Sequence, residues 1–137
     1  MGEKKTIEFA VKALILKEGK FLALHKANIT SDEYELPGGR MEFGETAEQT
    51  LVREVYEETG LNVTPIKLID TWNYIADESL QITGIIYLCR VTSPGEIVLS
   101  YEHTAYQWLA PDADSLRSTN RLFAPQMQRW DWACLMQ

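Results

Sequence analysis

Cysteine is scarce: Cys89 and Cys134 are the whole complement, too few and too far apart for a disulfide framework or a cysteine zinc site. Long hydrophobic runs are missing as well. The longest, Ala13-Leu14-Ile15-Leu16, falls far short of the roughly 20 residues that cross a bilayer, so no membrane association is expected. The opening Met1-Gly2-Glu3-Lys4-Lys5 has no signal-peptide core behind it, which makes the cytoplasm the expected location. Basic residues are outnumbered 13 to 20, leaving a net charge of −7. That balance excludes a broad surface for phosphate backbones, and nucleic acid is not an expected partner. Linkers, repeats and low-complexity stretches are also lacking. What remains is 137 residues, 45% apolar and 24% charged, the profile of one globular domain spanning 1–137.

Residues from about Ile7 to Leu16 are rich in β-formers and nearly continuously apolar at the end, predicting a strand covered on both faces. Lys17-Glu18-Gly19-Lys20 is a turn signal, and Phe21–Leu24 its hairpin partner. A polar loop from Asn28 to Glu35 leads into Leu36-Pro37-Gly38-Gly39, which cannot continue an ordinary helix or strand. Thr46, with Gln49 three residues on, has the form of a capping box opening a helix that Gly60 would close. Further strands are predicted at Pro65–Tyr74, Leu80–Thr92, Ile97–Leu99 and Tyr106–Leu109, with Pro94-Gly95 as a turn. After Ser118-Thr119-Asn120 the stripe Phe123, Met127, Trp130, Cys134 predicts a second helix whose apolar side is core. Strands in two groups around helices make the fold class α+β.

The negative charge is concentrated. Residues 39–61 hold six Glu (42, 45, 48, 54, 57, 58) against Arg40 and Arg53, a net of −4. Glu54, Glu57 and Glu58 are spaced i, i+3, i+4, which places three carboxylates on one helical face, while Leu51, Val52, Val55 and Tyr56 form another arc to pack on the sheet. Such a face is either solvated surface or a site for a hard cation, because Mg²⁺ favours carboxylate oxygens. The wider spacing decides between them. Gly39, five residues, Glu45, seven residues, then Arg53-Glu54-Val55-Tyr56-Glu57-Glu58-Thr59-Gly60-Leu61 resembles the signature of the Nudix (MutT-like) hydrolases at every specified position. Leu36-Pro37-Gly38-Gly39 and Glu102-His103…Tyr106-Gln107-Trp108-Leu109 also look like family sequence.

The resemblance implies an α/β/α sandwich with a mixed central sheet and a catalytic loop–helix–loop. It implies hydrolysis of a diphosphate bond in a small nucleotide, with Mg²⁺ as cofactor and Mn²⁺ as a substitute. Glu54, Glu57 and Glu58 would face the metal, the Gly38 carbonyl would add a ligand, and Glu54 or Glu58 would act on the water. Glu45 and Arg53 resemble the family's structural pair, Arg53 also orienting a catalytic carboxylate, with Gly39 and Gly60 as the conformational positions of the motif. Glu102 is the candidate distant carboxylate, against an ordinary exposed Glu, and His103 reads as a loop residue. Lys26 sits where family members touch substrate phosphates, against a solvated Lys. Tyr34, Trp72 and Tyr74 are either base-stacking or packing aromatics. Asp112 and Asp114 lack the following Gly and Glu of a calcium loop.

A compact chain resembles the members that convert (deoxy)nucleoside triphosphates to the monophosphate and pyrophosphate. ADP-ribose or another nucleotide sugar is the main alternative, although the Pro expected about 15 residues beyond the motif is replaced here by Ile75-Ala76. Dinucleoside polyphosphates are disfavoured by Asp77-Glu78-Ser79, which lacks a marker Tyr. A regulator that binds nucleotides with little turnover would be expected to lose one of Glu54, Glu57 or Glu58, and all three are present. Family members often dimerise, so a homodimer is a further expectation.

Overall fold

Alternation along the first strand decides how the sheet is covered. In β1 (Thr6–Lys17) the residues Val11, Ala13 and Ile15 are buried in one apolar cluster, and Ala10, Leu14 and Leu16 in another, so both faces are covered. These features come from a computed structural model that describes residues 4–93, 95–119 and 122–137. The expected Pro94-Gly95 turn and the Asn120 boundary therefore fall partly outside the described residues, as does the start of the chain.

The tight turn at Glu18-Gly19 joins β1 to β2 (Lys20–Lys26), with Leu16 opposite Phe21 as expected. Beyond that pair the two strands part, and the chain from Glu35 to Arg40 enters between them. Leu24 and Glu35 exchange backbone hydrogen bonds of 2.8 Å, the Ala13 N–H donates to the Pro37 carbonyl at 2.8 Å, and β3 (Gly38–Arg40) pairs antiparallel with Ala10–Lys12. On the other edge β1 runs parallel to β5 (Leu80–Val91), which pairs antiparallel with β4 (Val63–Ile75). β6 (His103–Leu109) pairs antiparallel with β2 and completes a mixed sheet in the order β4-β5-β1-β2-β6, with β3 on β1.

The helix α1 (Ala47–Thr59) covers the face carrying Val11, Ala13 and Ile15. Its capping box is present: Thr46 Oγ1 accepts from the Gln49 N–H at 3.1 Å and Gln49 Oε1 accepts from the Thr46 N–H at 2.9 Å. Gly60 ends the helix at φ 75°, in the left-handed region, its N–H donating to the Tyr56 carbonyl. Leu51 and Val55 are fully buried, each worth about 1.5–3 kcal/mol on removal from water. Tyr56, expected on the same arc, is instead 55% exposed, because the helix rolls to bury Glu58 and Thr59.

The opposite face is covered by the C-terminal segment, making three layers and bearing out the α+β sandwich. The single tail helix expected there is not formed. After a short helix, α2 (Ala113–Arg117), that precedes the expected start, two further short helices replace it, α3 (Ala124–Met127) and α4 (Trp132–Leu135). Asp131 caps α4 by accepting from the Cys134 N–H, and the Trp132 indole donates to the Met127 carbonyl at 2.8 Å, partners that a continuous helix would not offer. Phe123, Met127 and Leu135 are buried while Cys134 is exposed, so the predicted stripe fails at its last position. The residues Ile97–Leu99 form no strand; they run irregularly past the end of α1, the Val98 N–H donating to the Thr59 carbonyl.

Candidate active site

The parting of β1 from β2 and the entry of Pro37–Arg40 place a backbone segment against the acidic face of α1. A cleft of about 670 Å³ opens there, lined by Gly38, Gly39, Glu54, Glu57, Glu58 and Glu102 at one part and by Lys12, Trp72, Tyr74 and Phe123 at another. Lys26, Glu35 and Arg40 also line it. Gly38 is required by contact: at φ 140° a Cβ there would run into the Val11 carbonyl, whereas a Cβ at Gly39 would push the Glu54 carboxylate aside.

Arg53 is the hub of the acidic helix. It grips Glu45 with two bonds, Nε to Oε2 at 2.7 Å and Nη2 to Oε1 at 2.9 Å, and its Nη2 also donates to the Arg40 carbonyl at 3.2 Å. Glu45 Oε1 further accepts from the Thr50 hydroxyl and the Glu42 N–H. The Arg53 bond, foremost, holds the Glu45 carboxyl at about 2. Nη1 of the same guanidinium reaches Glu54 Oε1 at 3.0 Å and Glu57 Oε2 at 3.3 Å.

Glu58 is 5% exposed and accepts from the Gly38 N–H at 2.8 Å. Burial pushes its carboxyl up to about 7, against the opposing pull of Lys12 and the Gly38 N–H. Glu54 is raised too, by burial, with the Arg53 bond acting the other way. Among the described residues, no three His, Cys, Asp or Glu side chains are gathered closely enough to hold one ion, since Glu54 and Glu57 turn to Arg53. The donor types nonetheless fit a hard divalent cation: carboxylate and carbonyl oxygens, on a face where burial raises the Glu54 and Glu58 carboxyls.

The residues expected from sequence separate into three groups. Gly38, Gly39, Glu54, Glu57, Glu58, Glu102, Lys26, Trp72 and Tyr74 all line the cleft. Glu45, Arg53 and Gly60 stand behind it as scaffold. Tyr34 is not among the lining residues; it packs edge-on to His25 at 5.5 Å and accepts a hydrogen bond from Gln107. His103, read as a loop residue, opens β6, is buried, and lies 2.8 Å from Glu35 Oε2 through Nε2. Lys12 and Glu35 were not singled out by sequence, and Phe123, read only as core, also lines the cleft. The signal for Lys12 was available: a lysine between Ala10 and Leu14 interrupts an inward-facing apolar alternation.

A model of the NUDIX domain matches residues 6–130. A MutT-like protein of Streptomyces ambofaciens is 35% identical over 104 residues, covering 76% of this chain and 64% of that protein. The CTP pyrophosphohydrolase of Escherichia coli is 33% identical over 114 residues, 79% of this chain and 78% of that one. The asymmetrical bis(5'-nucleosyl)-tetraphosphatase of Sus scrofa is 38% identical over 81 residues; the match spans 56% of this chain and 54% of that enzyme. Thus the chain spans less than two thirds of two of these relatives. The crystal structure of a MutT protein from Methanosarcina mazei superposes with a TM-score of 0.81 at 26% identity, over 97% of this chain and 99% of that one. With the motif complete and the fold matched along its length, the chain belongs to the Nudix hydrolase family.

Proposed function

We propose that the protein is a Mg²⁺-dependent pyrophosphohydrolase converting a (deoxy)nucleoside triphosphate to the monophosphate and pyrophosphate. One observation carries the reading: the acidic face of α1 and the aromatic rings of Trp72 and Phe123 line the same cleft, a place for metal and phosphates beside a place for a base. Glu54, Glu57, Glu58, Glu102 and the Gly38 carbonyl would hold the cation, with Mn²⁺ able to replace it. When bound, the metal neutralises phosphate oxygens and lowers the pKa of water. Glu54 takes the proton of the attacking water on its carboxylate, for which a pKa raised by burial is an advantage. Arg53 keeps that carboxylate in place through Nη1, and Lys26 and Arg40 meet the phosphates. The water oxygen bonds to a phosphorus of the α–β linkage, the bond from that phosphorus to the bridging oxygen breaks, and the monophosphate and pyrophosphate part.

The test is a panel of nucleoside triphosphates, oxidised triphosphates, ADP-ribose and dinucleoside polyphosphates with Mg²⁺, resolved by product. Monophosphate and pyrophosphate are expected from triphosphates, and Glu54→Gln is expected to lower kcat by about two or more orders of magnitude. Preference for ADP-ribose, or near wild-type turnover by Glu54→Gln, overturns the assignment.

A further inference from the structure

Lys12 occupies the middle of a buried sheet face. Its neighbours on that face, Ala10 and Leu14, belong to the apolar core, and its own side chain is only 11% exposed. A charge in such a position is costly unless something compensates it. Glu58 and Glu35 both face the ammonium with negative charge, so the compensation is electrostatic, and its hydrogen bonds are the part left incomplete. The ammonium has three donors, and among the described residues one is used, by the Leu36 carbonyl at 3.2 Å. Glu35 Oε1 is 3.9 Å away, an ion pair too long for a hydrogen bond. The other Glu35 oxygen is engaged by His103 at 2.8 Å.

The walls around this ammonium are aromatic: Nζ is 5.8 Å from the centre of the Trp72 ring and 5.9 Å from that of Phe123. All three side chains line the cleft. The Trp72 indole N–H is also buried and has no hydrogen-bond partner among the described residues. The unfilled hydrogen-bonding capacity at this end of the cleft is therefore donor capacity, flanked by flat apolar surfaces. A phosphate would satisfy the donors but would lie against the Glu35 carboxylate and the two rings. A planar base that presents an oxygen suits both features.

We propose that Lys12 determines base specificity by donating to an exocyclic carbonyl oxygen of the substrate's base, so that oxo-bearing bases are selected over adenine, which has an amino group and ring nitrogens only. The inference rests on the nucleotide reading above and names the substrate class within it. A carbonyl oxygen accepts over a wide range of directions and takes a charge-assisted bond, whereas an amino group brings its own donors towards Lys12. A buried donor left unmet by the wrong base is a strong basis for rejection.

Hypoxanthine and adenine nucleotides are the matched pair, since oxygen replaces the amino group at one position of the same ring system. Binding of IMP and AMP to the metal-free protein is read by intrinsic tryptophan fluorescence, and kcat/KM for ITP and ATP is measured with Mg²⁺. IMP is expected to bind about tenfold or more tightly than AMP, with ITP favoured over ATP by a similar factor. Lys12→Met, which keeps the stem and removes the donors, is expected to bring the two nucleotides of each pair to the same value. A ratio at or below one in the wild type overturns the proposal. So does an equal loss for both nucleotides in Lys12→Met, which would mark Lys12 as a phosphate or scaffold residue. Should Lys12→Met fail to fold, Lys12→Arg retains charge and donors and must preserve the preference for IMP, while Trp72→Phe must reduce it. Monophosphate binding decides the matter even if no triphosphate is hydrolysed, so failure here and failure of the hydrolase reading are separate results.

Discussion

Arg53 makes bonds to Glu45, Glu54, Glu57 and the Arg40 carbonyl, and this explains why the motif specifies an arginine that does not line the cleft. A planar fork can hold Glu45 with two nitrogens while its third reaches the acidic face. A lysine has one point of charge and cannot do both. Arg53→Lys is therefore expected to leave KM near its original value and to lower kcat about 10- to 100-fold, as loss of a supporting shell commonly does. Steady-state kinetics with Mg²⁺ titrated at each substrate concentration checks this; an unchanged kcat would show that Glu54 needs no orientation from Arg53. These site residues were legible because the motif is contiguous and each member acts at a fixed helical offset. The pairing of Lys12 with Glu35 was not, since it arises only when the segment from Glu35 onwards enters between β1 and β2.

At the level of elements, α1 was readable at both ends because its stop signals are local. Thr46, Gln49 and Gly60 act within a turn of themselves, whatever the rest of the chain does. Thr46→Ala removes the bond to the Gln49 N–H and is expected to cost about 1 kcal/mol, lowering Tm by about 4 °C in a chain of this size. Thermal unfolding monitored by circular dichroism measures it, and an unchanged Tm would mean that packing of Leu51 and Val55 alone secures the helix. The tail was misread for the opposite reason. Its apolar stripe has helical spacing, but Trp130 bonds Asp70 of β4, and Trp132 bonds the Met127 carbonyl, so tertiary partners break the helix that periodicity proposes. Tyr56 fails similarly: burial of Glu58 against Gly38 sets the roll of α1, and spacing alone carries no information about that contact.

Across the whole molecule, the acidic balance has a structural division that composition cannot reveal. One side of the cleft carries the α1 carboxylates, and Lys12, Glu35 and His103 form a buried chain that reaches Glu58. Burial raises the Glu35 carboxyl, but Lys12 and the His103 bond outweigh it and leave it below its ordinary value. The folded state therefore holds a proton on Glu35 less readily than the unfolded chain does. Its stabilising contribution is fully present above the unfolded value of 4.5 and is lost as pH falls from there through the lower folded value. Glu58 acts in the opposite sense between 4.5 and about 7, where the folded state retains a proton that the unfolded chain has released, so stability falls as pH rises through that window. Glu35 is also one of the charges that raise Glu58, so the two are separated by comparing wild type with Glu35→Gln below pH 4.5, where burial keeps Glu58 protonated in both folded proteins. Denaturant midpoints measured from pH 4.5 downwards are expected to show the margin of the wild type over Glu35→Gln narrowing as Glu35 takes up its proton. A margin that stays constant to the lowest pH at which both proteins fold would mean that the carboxylate charge of Glu35 contributes nothing, and that the side chain serves by shape and hydrogen bonding alone.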